Sequence, residues 1–147
     1  MKIIIRVYGL IINDRNQILL SDEFQLGTIM IKFPGGGLEP GEGPADCIKR
    51  EAIEELGQEV EIISHFYTTD FFQKALFYEN HQLVSIYYKV RLKKPIQFKI
   101  SKKPFDFKEM IDGSQSFRWQ SIEDLNIEEL SFPIDKRVAL MLKEGSA

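Results

Sequence analysis

Three glutamates, Glu51, Glu54 and Glu55, are spaced i, i+3, i+4. On a helix that spacing places three carboxylates on one face, within roughly 100° of arc. Like charges this close repel, by a few tenths of a kcal/mol per pair even when exposed. Partial burial would raise their pKa values unless a cation intervened. A hard, oxygen-seeking divalent ion, Mg²⁺ or Mn²⁺, answers both problems, and such ions are commonly shared with substrate phosphates. Just upstream lies Gly35-Gly36-Gly37. Without side chains it can bring backbone groups close to the same cation or to a phosphate. Arg50, next to Glu51, is placed to pair with a loop carboxylate and hold the loop on the helix. The chemistry these residues suggest is the binding of a divalent cation shared with a phosphate.

Such a site needs a helix, and the local signals supply one. Gly43 can serve as N-cap, Pro44 suits the first helical position, and Asp46 puts negative charge in the first turn. Gly57 is a natural stop. The prediction is a helix over residues 44–56, with Ala45, Ile48, Ala52 and Leu56 as its apolar stripe. Upstream, the β-branched run Ile3–Ile12 reads as a buried strand. A turn at Asn13–Asn16 leads to a short strand over 17–21, so these two are expected to form a hairpin. Thr28–Phe33 reads as a third strand running into the glycines. Further strands are expected at Val60–Tyr67, Phe71–Tyr78, Val84–Leu92 and Ser116–Gln120. A helical turn is expected at Ile122–Leu125, and a last helix over Ile134–Lys143 with Ile134, Val138 and Leu142 on one side. In Val84–Leu92 the alternation puts Val84, Ile86, Tyr88, Val90 and Leu92 on one face. Strands on both sides of a central helix, with a second helix at the end, indicate an α/β fold with a mixed sheet.

Bulk properties set the frame. The 147 residues suit one domain, residues 1–147, with a core of its own. The net charge of −3 gives no reason to expect generic nucleic-acid or membrane binding. The charge is uneven, however. Residues 41–61 carry seven acids against Lys49 and Arg50, and residues 89–108 carry eight basic residues against Asp106. The single cysteine, Cys47, excludes an internal disulfide and fits a reducing, cytoplasmic setting. No stretch approaches the roughly 20 apolar residues of a membrane span.

From Gly36 to Gln58 the sequence resembles the Nudix box of the Nudix hydrolase superfamily, G-x5-E-x7-R-E-U-x-E-E-x-G-U with U aliphatic. Gly36, Glu42, Arg50-Glu51, Glu54-Glu55 and Gly57 stand at the required spacing. Two positions depart from it: Ala52 is small for the first U, and Gln58 is polar where an aliphatic residue is usual, leaving Val60 to serve in its place. The resemblance implies an α/β/α sandwich and Mg²⁺-dependent cleavage (with Mn²⁺ as a substitute) of a phosphoanhydride bond in a nucleoside diphosphate derivative. It implies Glu51, Glu54 and Glu55 as metal ligands, completed by the carbonyl of Gly36. Arg50 and Glu42 would be the pair that shapes the loop around Gly37. Glu51 and Glu54 are both candidates for the general base.

Substrate marks are weaker. Gln73 stands where ADP-ribose pyrophosphatases carry proline. The end of the chain, Arg118-Trp119 and Phe132–Leu140, is similar to MutT-type nucleoside triphosphate pyrophosphatases. That likeness would place Asp135 against a purine edge, with Trp119 and Lys32 as further substrate contacts. Phe71 and Tyr87 are candidates for base stacking. ADP-ribose, another NDP-sugar or a dinucleotide is the alternative substrate class. The sequence is also compatible with a nucleotide-sensing module or an RNA-facing hydrolase, and in each case with a homodimer.

Overall fold

The computed structural model describes residues 1–145. In chain order the elements are β1 (Lys2–Ile11), β2 (Gln17–Gln25), β3 (Thr28–Lys32), β4 (Gly35–Gly37), α1 (Pro44–Leu56), β5 (Val60–Thr68), β6 (His81–Leu92), β7 (Ser114–Ser121), a 3₁₀ turn (Ile127–Glu129) and α2 (Pro133–Gly145). This is a mixed α/β fold. The chain forms two compact units, Met1–Ile11 with Pro34–Gln97, and Ile12–Phe33 with the chain from Phe98 onward.

The first unit holds a sheet in the order β4-β1-β6-β5. β1 runs parallel to β6 and antiparallel to β4. Its backbone is therefore engaged on both sides. That explains a correction to the sequence reading: β1 and β2 do not form a hairpin. Past Ile11 they share only an isolated bridge, Ile12 to Ile18, and then enter different sheets. α1 lies against the face of β1 that carries Gly9. A Cβ there would come within 3.1 Å of Val90 Cγ2 and 3.2 Å of Ile48 Cδ1, so the missing side chain lets the helix approach. Cys47, Ile48, Ala52 and Leu56 are the helix's buried residues. Burial of the larger two stabilises the contact by about 1.5–3 kcal/mol each. Ala45 is only half-buried and Cys47 replaces it, because residue 47 sits beneath the glycine strand.

In the first part of β6 the residues opposite the expected apolar face, Leu83, Ser85 and Tyr87, are the better buried, whereas Val90 is buried on the expected face. Tyr87 is fully enclosed, stacked on Tyr8 at 5.2 Å between ring centroids, while Ile86 and Tyr88 are half-buried. Both faces of β6 carry buried residues, so alternation alone could not rank them. The strand expected at Phe71–Tyr78 is absent: only Lys74 bridges to Gln82. Its aromatic side chains project outward instead, Phe72 at 62% exposure.

The second unit holds an antiparallel sheet in the order β3-β2-β7. β2 and β3 are joined by Leu26-Gly27, with φ of 52° and 72°. That is the two-residue turn whose twist matches paired strands, with a bulky residue where asparagine is the usual choice. Neighbours on a strand point to opposite faces. Asp22 and Glu23 do so, and each is buried with its own cation: Arg118 Nε at 2.8 Å from Asp22, Lys32 Nζ at 3.0 Å from Glu23. The turn at Ile122–Leu125 is a single hydrogen-bonded turn, and the helical geometry falls at Ile127–Glu129, capped by Asn126. α2 buries Ile134, Val138 and Leu142 as expected, together with Asp135 and Ala139.

Candidate functional site

α1 starts and stops as its sequence dictates. Asp46 Oδ2 accepts the Gly43 N–H at 2.9 Å, and Pro44 occupies the first helical position. Gly57 turns into the left-handed region at φ 68° and donates its N–H to Ile53 O. Between these ends the helix carries all the box carboxylates except Glu42.

The three glycines form a short strand rather than a loop, paired to β1 with Gly36 opposite Val7 and Gly37 opposite Arg6. Pairing fixes where Gly36 stands, and Glu51 lies directly over it. A Cβ on residue 36 would fall 2.3 Å from Glu51 Oε1 and 2.5 Å from Cδ. Only glycine fits. On its other side the strand is served by the helix: Glu55 Oε2 accepts the Gly35 N–H at 3.3 Å.

Arg50 organises the remainder. Its Nε and Nη2 donate to the two oxygens of Glu42, at 3.0 and 2.7 Å. Nη2 also donates to Gly37 O at 2.9 Å. Nη1 donates to Glu51 at 3.0 Å and to Glu54 at 3.2 Å. One planar cation thus joins the box's first glutamate, the glycine strand and two helix glutamates, a task that needs a fork of donors rather than a point charge. The Arg50 hydrogen bonds, followed by the Glu39 N–H, hold the Glu42 carboxyl down to about 2. The same bonds to Glu42 push the Arg50 guanidinium further up. Below the strand, the Cys47 thiol donates to Gly37 O at 3.5 Å. Burial, reinforced by the nearby Glu42 charge, pushes that thiol up to about 12. Cys47 is packing under the site and no nucleophile.

Gln58, the polar departure from the box pattern, is buried all the same. Its Nε2 donates to Pro95 O at 3.0 Å and its Oε1 accepts the Gln97 N–H at 2.7 Å. Both amide atoms are satisfied by the backbone of the segment after β6, so a polar side chain fills an apolar position without an orphaned group. Val60 is buried beside it. Nothing in the spacing could have revealed this partner, which lies 37 to 39 residues away.

The structure therefore gathers Gly36, Gly37, Glu42, Arg50, Glu51, Glu54 and Glu55 in one contact set. Among the described residues no three acidic, histidine or cysteine side chains already stand as a closed metal cluster. Glu51 and Glu54 are turned onto Arg50. The donors nonetheless fit a hard divalent ion: every one is an oxygen, and the bare Cα of Gly36 lets the Glu51 carboxylate lie against the glycine strand. Asp135, Trp119 and Lys32 belong to the second unit. Lys32 is buried at 4% exposure with Glu23, rather than being a solvated lysine, because the carboxylate beside it compensates its charge. Asp135 is fully buried in the first turn of α2, and Trp119 is half-buried on β7. Of the two stacking candidates, Tyr87 is core and Phe71 is exposed.

Solved structures resemble this fold over nearly its whole length. A NUDIX hydrolase from Nitrosomonas europaea aligns with TM-score 0.71 at 19% identity, covering 99% of this chain and 90% of that one. A MutT structure described for Aliivibrio salmonicida and Vibrio cholerae aligns at 0.67 and 21%, covering 98% and 99%. A UDP-X diphosphatase aligns at 0.66 and 17%, covering all of this chain and 66% of that one. No curated protein matches the sequence. The family model for the NUDIX domain matches residues 2–141, across both compact units, and with the box residues assembled as described the chain belongs to the Nudix hydrolases, enzymes that act on pyrophosphate bonds.

Proposed function

We propose that the chain works as one catalytic domain. In this reading it hydrolyses a phosphoanhydride bond of a nucleoside diphosphate derivative, most closely in the manner of a MutT-type nucleoside triphosphate pyrophosphatase. The observation that carries the reading is the seat of Glu51 on Gly36, locked from above by Arg50 and Glu42. That seat holds a carboxylate against the backbone of the glycine strand, which suits the sharing of a cation with a backbone oxygen.

Glu51, Glu54, Glu55 and the Gly36 carbonyl would hold the divalent ion, Mg²⁺ or Mn²⁺. When bound, such an ion neutralises phosphate charge and lowers the pKa of a nucleophilic water. The chain's own groups supply the rest. Arg50 and Glu42 fix the strand and the helix at one separation, so the carboxylates meet the substrate in a set geometry. Glu51 and Glu54, both on Arg50 Nη1, are the two candidates for the general base that takes the proton of the attacking water. In the second unit, Asp135 is proposed to read the purine edge, with Trp119 and Lys32 as further contacts.

The test is a panel of purine and pyrimidine nucleoside triphosphates, ADP-ribose, NDP-sugars, NADH and dinucleoside polyphosphates, assayed with Mg²⁺ and Mn²⁺. Turnover of at least one, lost by orders of magnitude in Glu54→Gln with folding intact, supports the reading. Preference for the sugar diphosphates selects the alternative substrate class. Asp135→Ala with unchanged purine preference and intact folding removes the role given to that residue.

A further inference from the structure

One face of the second unit's sheet carries charge that the box chemistry does not use. β2 and β7 run antiparallel with Asp22 opposite Ser116 and Leu20 opposite Arg118. Residues paired in this way share a face, as do residues two apart on one strand. Asp22, Ser116 and Arg118 therefore stand together, and all three are more than nine-tenths buried. Each has one side-chain atom with no hydrogen-bonding partner among the described residues: Asp22 Oδ1, Ser116 Oγ and Arg118 Nη2. Buried polar atoms left unsatisfied are costly, and such groups in one cluster call for a physical account.

The ion pair shows how they arise. Arg118 Nε donates to Asp22 Oδ2 at 2.8 Å, and Nη1 donates to Gln120 Oε1 at 3.2 Å. Nε and Nη2 lie on the same edge of a guanidinium, where they can meet the two oxygens of one carboxylate. Arg50 does this with Glu42, closing both bonds at 3.0 and 2.7 Å. Arg118 closes only one. The other half of the fork, Nη2 and Oδ1, stays open beside the Ser116 hydroxyl.

A third group holds the same carboxylate. Phe105 N–H donates to Asp22 Oδ2 at 3.3 Å. Phe105 belongs to a strap, residues 98–107, that runs along the outer edge of β7. Ile100 bridges to Phe117 in parallel, Ser101 N–H donates to Phe117 O at 2.7 Å, and Phe98 packs on Phe117 at 5.6 Å. Phe105 sits at φ 52°, a conformation that a bulky residue keeps only when its surroundings impose it. The Asp22 carboxylate is what its N–H meets there.

Charge and size limit what can complete the open half of the fork. An anion would face Asp22 and a cation would face Arg118, at close range in a poorly solvated place. The group must be neutral, accept a hydrogen bond from Nη2 and donate one to Oδ1. All three atoms are shut off from solvent, so it must also be small. Water meets each condition, and the site offers three polar atoms, within the roughly two to four partners of buried waters.

We propose that one buried water bridges Arg118 Nη2, Asp22 Oδ1 and Ser116 Oγ. By fixing both carboxylate oxygens it holds Asp22 where the Phe105 N–H latches the strap to the sheet. The site is independent of the pyrophosphohydrolase reading above.

The experiment takes the wild type, Ser116→Ala and Ser116→Val. A crystal structure of the wild type, at a resolution that shows ordered water, locates the site. Water-to-amide nuclear Overhauser effects report residence in solution, and hydrogen exchange reports the Ser101 and Phe105 amides. The expected result is a density peak within hydrogen-bonding distance of all three atoms, with an Overhauser effect at the Ser116 amide of the sign that marks a long-lived water. In Ser116→Val a methyl group takes up the water's room, so that effect should vanish and Phe105 should exchange about tenfold faster or more, with the α1 amides unchanged. Ser116→Ala removes one partner without adding bulk. It should keep the water and give intermediate exchange, which keeps the proposal open to test if the valine variant fails to fold. A closed fork in the wild type, with Nη2 on Oδ1 and no water between them, overturns the proposal. So does exchange at Phe105 that stays at the wild-type rate in both variants, which would show that the strap is held without the water.

Discussion

The carboxylate of Glu51 fills the space in which a side chain on residue 36 would begin, its Oε1 2.3 Å from the position of a Cβ there. Strand and helix thereby meet through a carboxylate that keeps its place only while residue 36 has no side chain. Gly36→Ala should expel the carboxylate while leaving the β4–β1 pairing in place. The expected result is little change in melting temperature, because only the flexible end of Glu51 has to move aside, with Mn²⁺ affinity and turnover falling at least tenfold. Calorimetric titration with Mn²⁺ beside thermal melts checks it; an alanine variant with wild-type metal affinity would show that the contact is incidental.

Arg50 to lysine keeps a positive charge and loses the fork. One ammonium cannot serve Glu42, Gly37 O, Glu51 and Glu54 together. We expect Arg50→Lys to fold, to melt several degrees lower and to lose most activity. Glu42→Gln should reproduce part of the stability loss. A double-mutant cycle should give a combined loss well short of additive, since both changes break the same pair.

The pH dependence of stability follows from Glu42. Its carboxyl is lowered from 4.5 to about 2 by Arg50. A depressed acid contributes stability that is complete above its unfolded value and is lost as pH falls through the folded one. In metal-free buffer the contribution should be intact at pH 5 and above and decline between about pH 4.5 and 2. Urea midpoints across that range should fall less steeply in Glu42→Gln than in wild type. Parallel slopes would remove the assignment.

Cys47 offers a probe of the same region. With its thiol pushed up to about 12 and fully buried, almost no thiolate exists at pH 8. Iodoacetamide at pH 8 should leave the native protein unlabelled over hours and label it within minutes in urea, as read by mass spectrometry. Rapid native labelling would mean that the glycine strand opens readily over the helix.

Gln58 can be tested by the residue type usual at its place. Gln58→Leu keeps burial but leaves Pro95 O and the Gln97 N–H without their partner. We expect a loss of about 1–3 kcal/mol and faster amide exchange at Gln97, with the exchange of the α1 core unchanged. An equally stable leucine variant would mean that the segment after β6 relaxes to water at no cost.

The box was legible because its chemistry is local. Helical periodicity alone puts Glu51, Glu54 and Glu55 on one face, and Gly43, Pro44 and Gly57 mark the ends of α1 within the same stretch. Fixed spacing around those residues was enough to mark the resemblance to the Nudix box, and the resemblance implied the reaction class. What tertiary structure decided depends on partners distant in the chain. The parallel neighbour of β1 is 79 residues away, at Lys2 and His81, and with β4 it consumes both edges of β1, so the expected hairpin could not form. Asp22 finds Arg118 and Gln58 finds Pro95 and Gln97 only after the strands are ordered. The run from Phe71 to Tyr78 has strand composition, yet a two-residue slip against β6 turns its rings outward. A sequence carries the periodicity of each element and the identity of each side chain. Which edge is left open, which face is covered and where a register slips are fixed by competition among strands for the same hydrogen-bonding partners, and that competition is settled only in three dimensions.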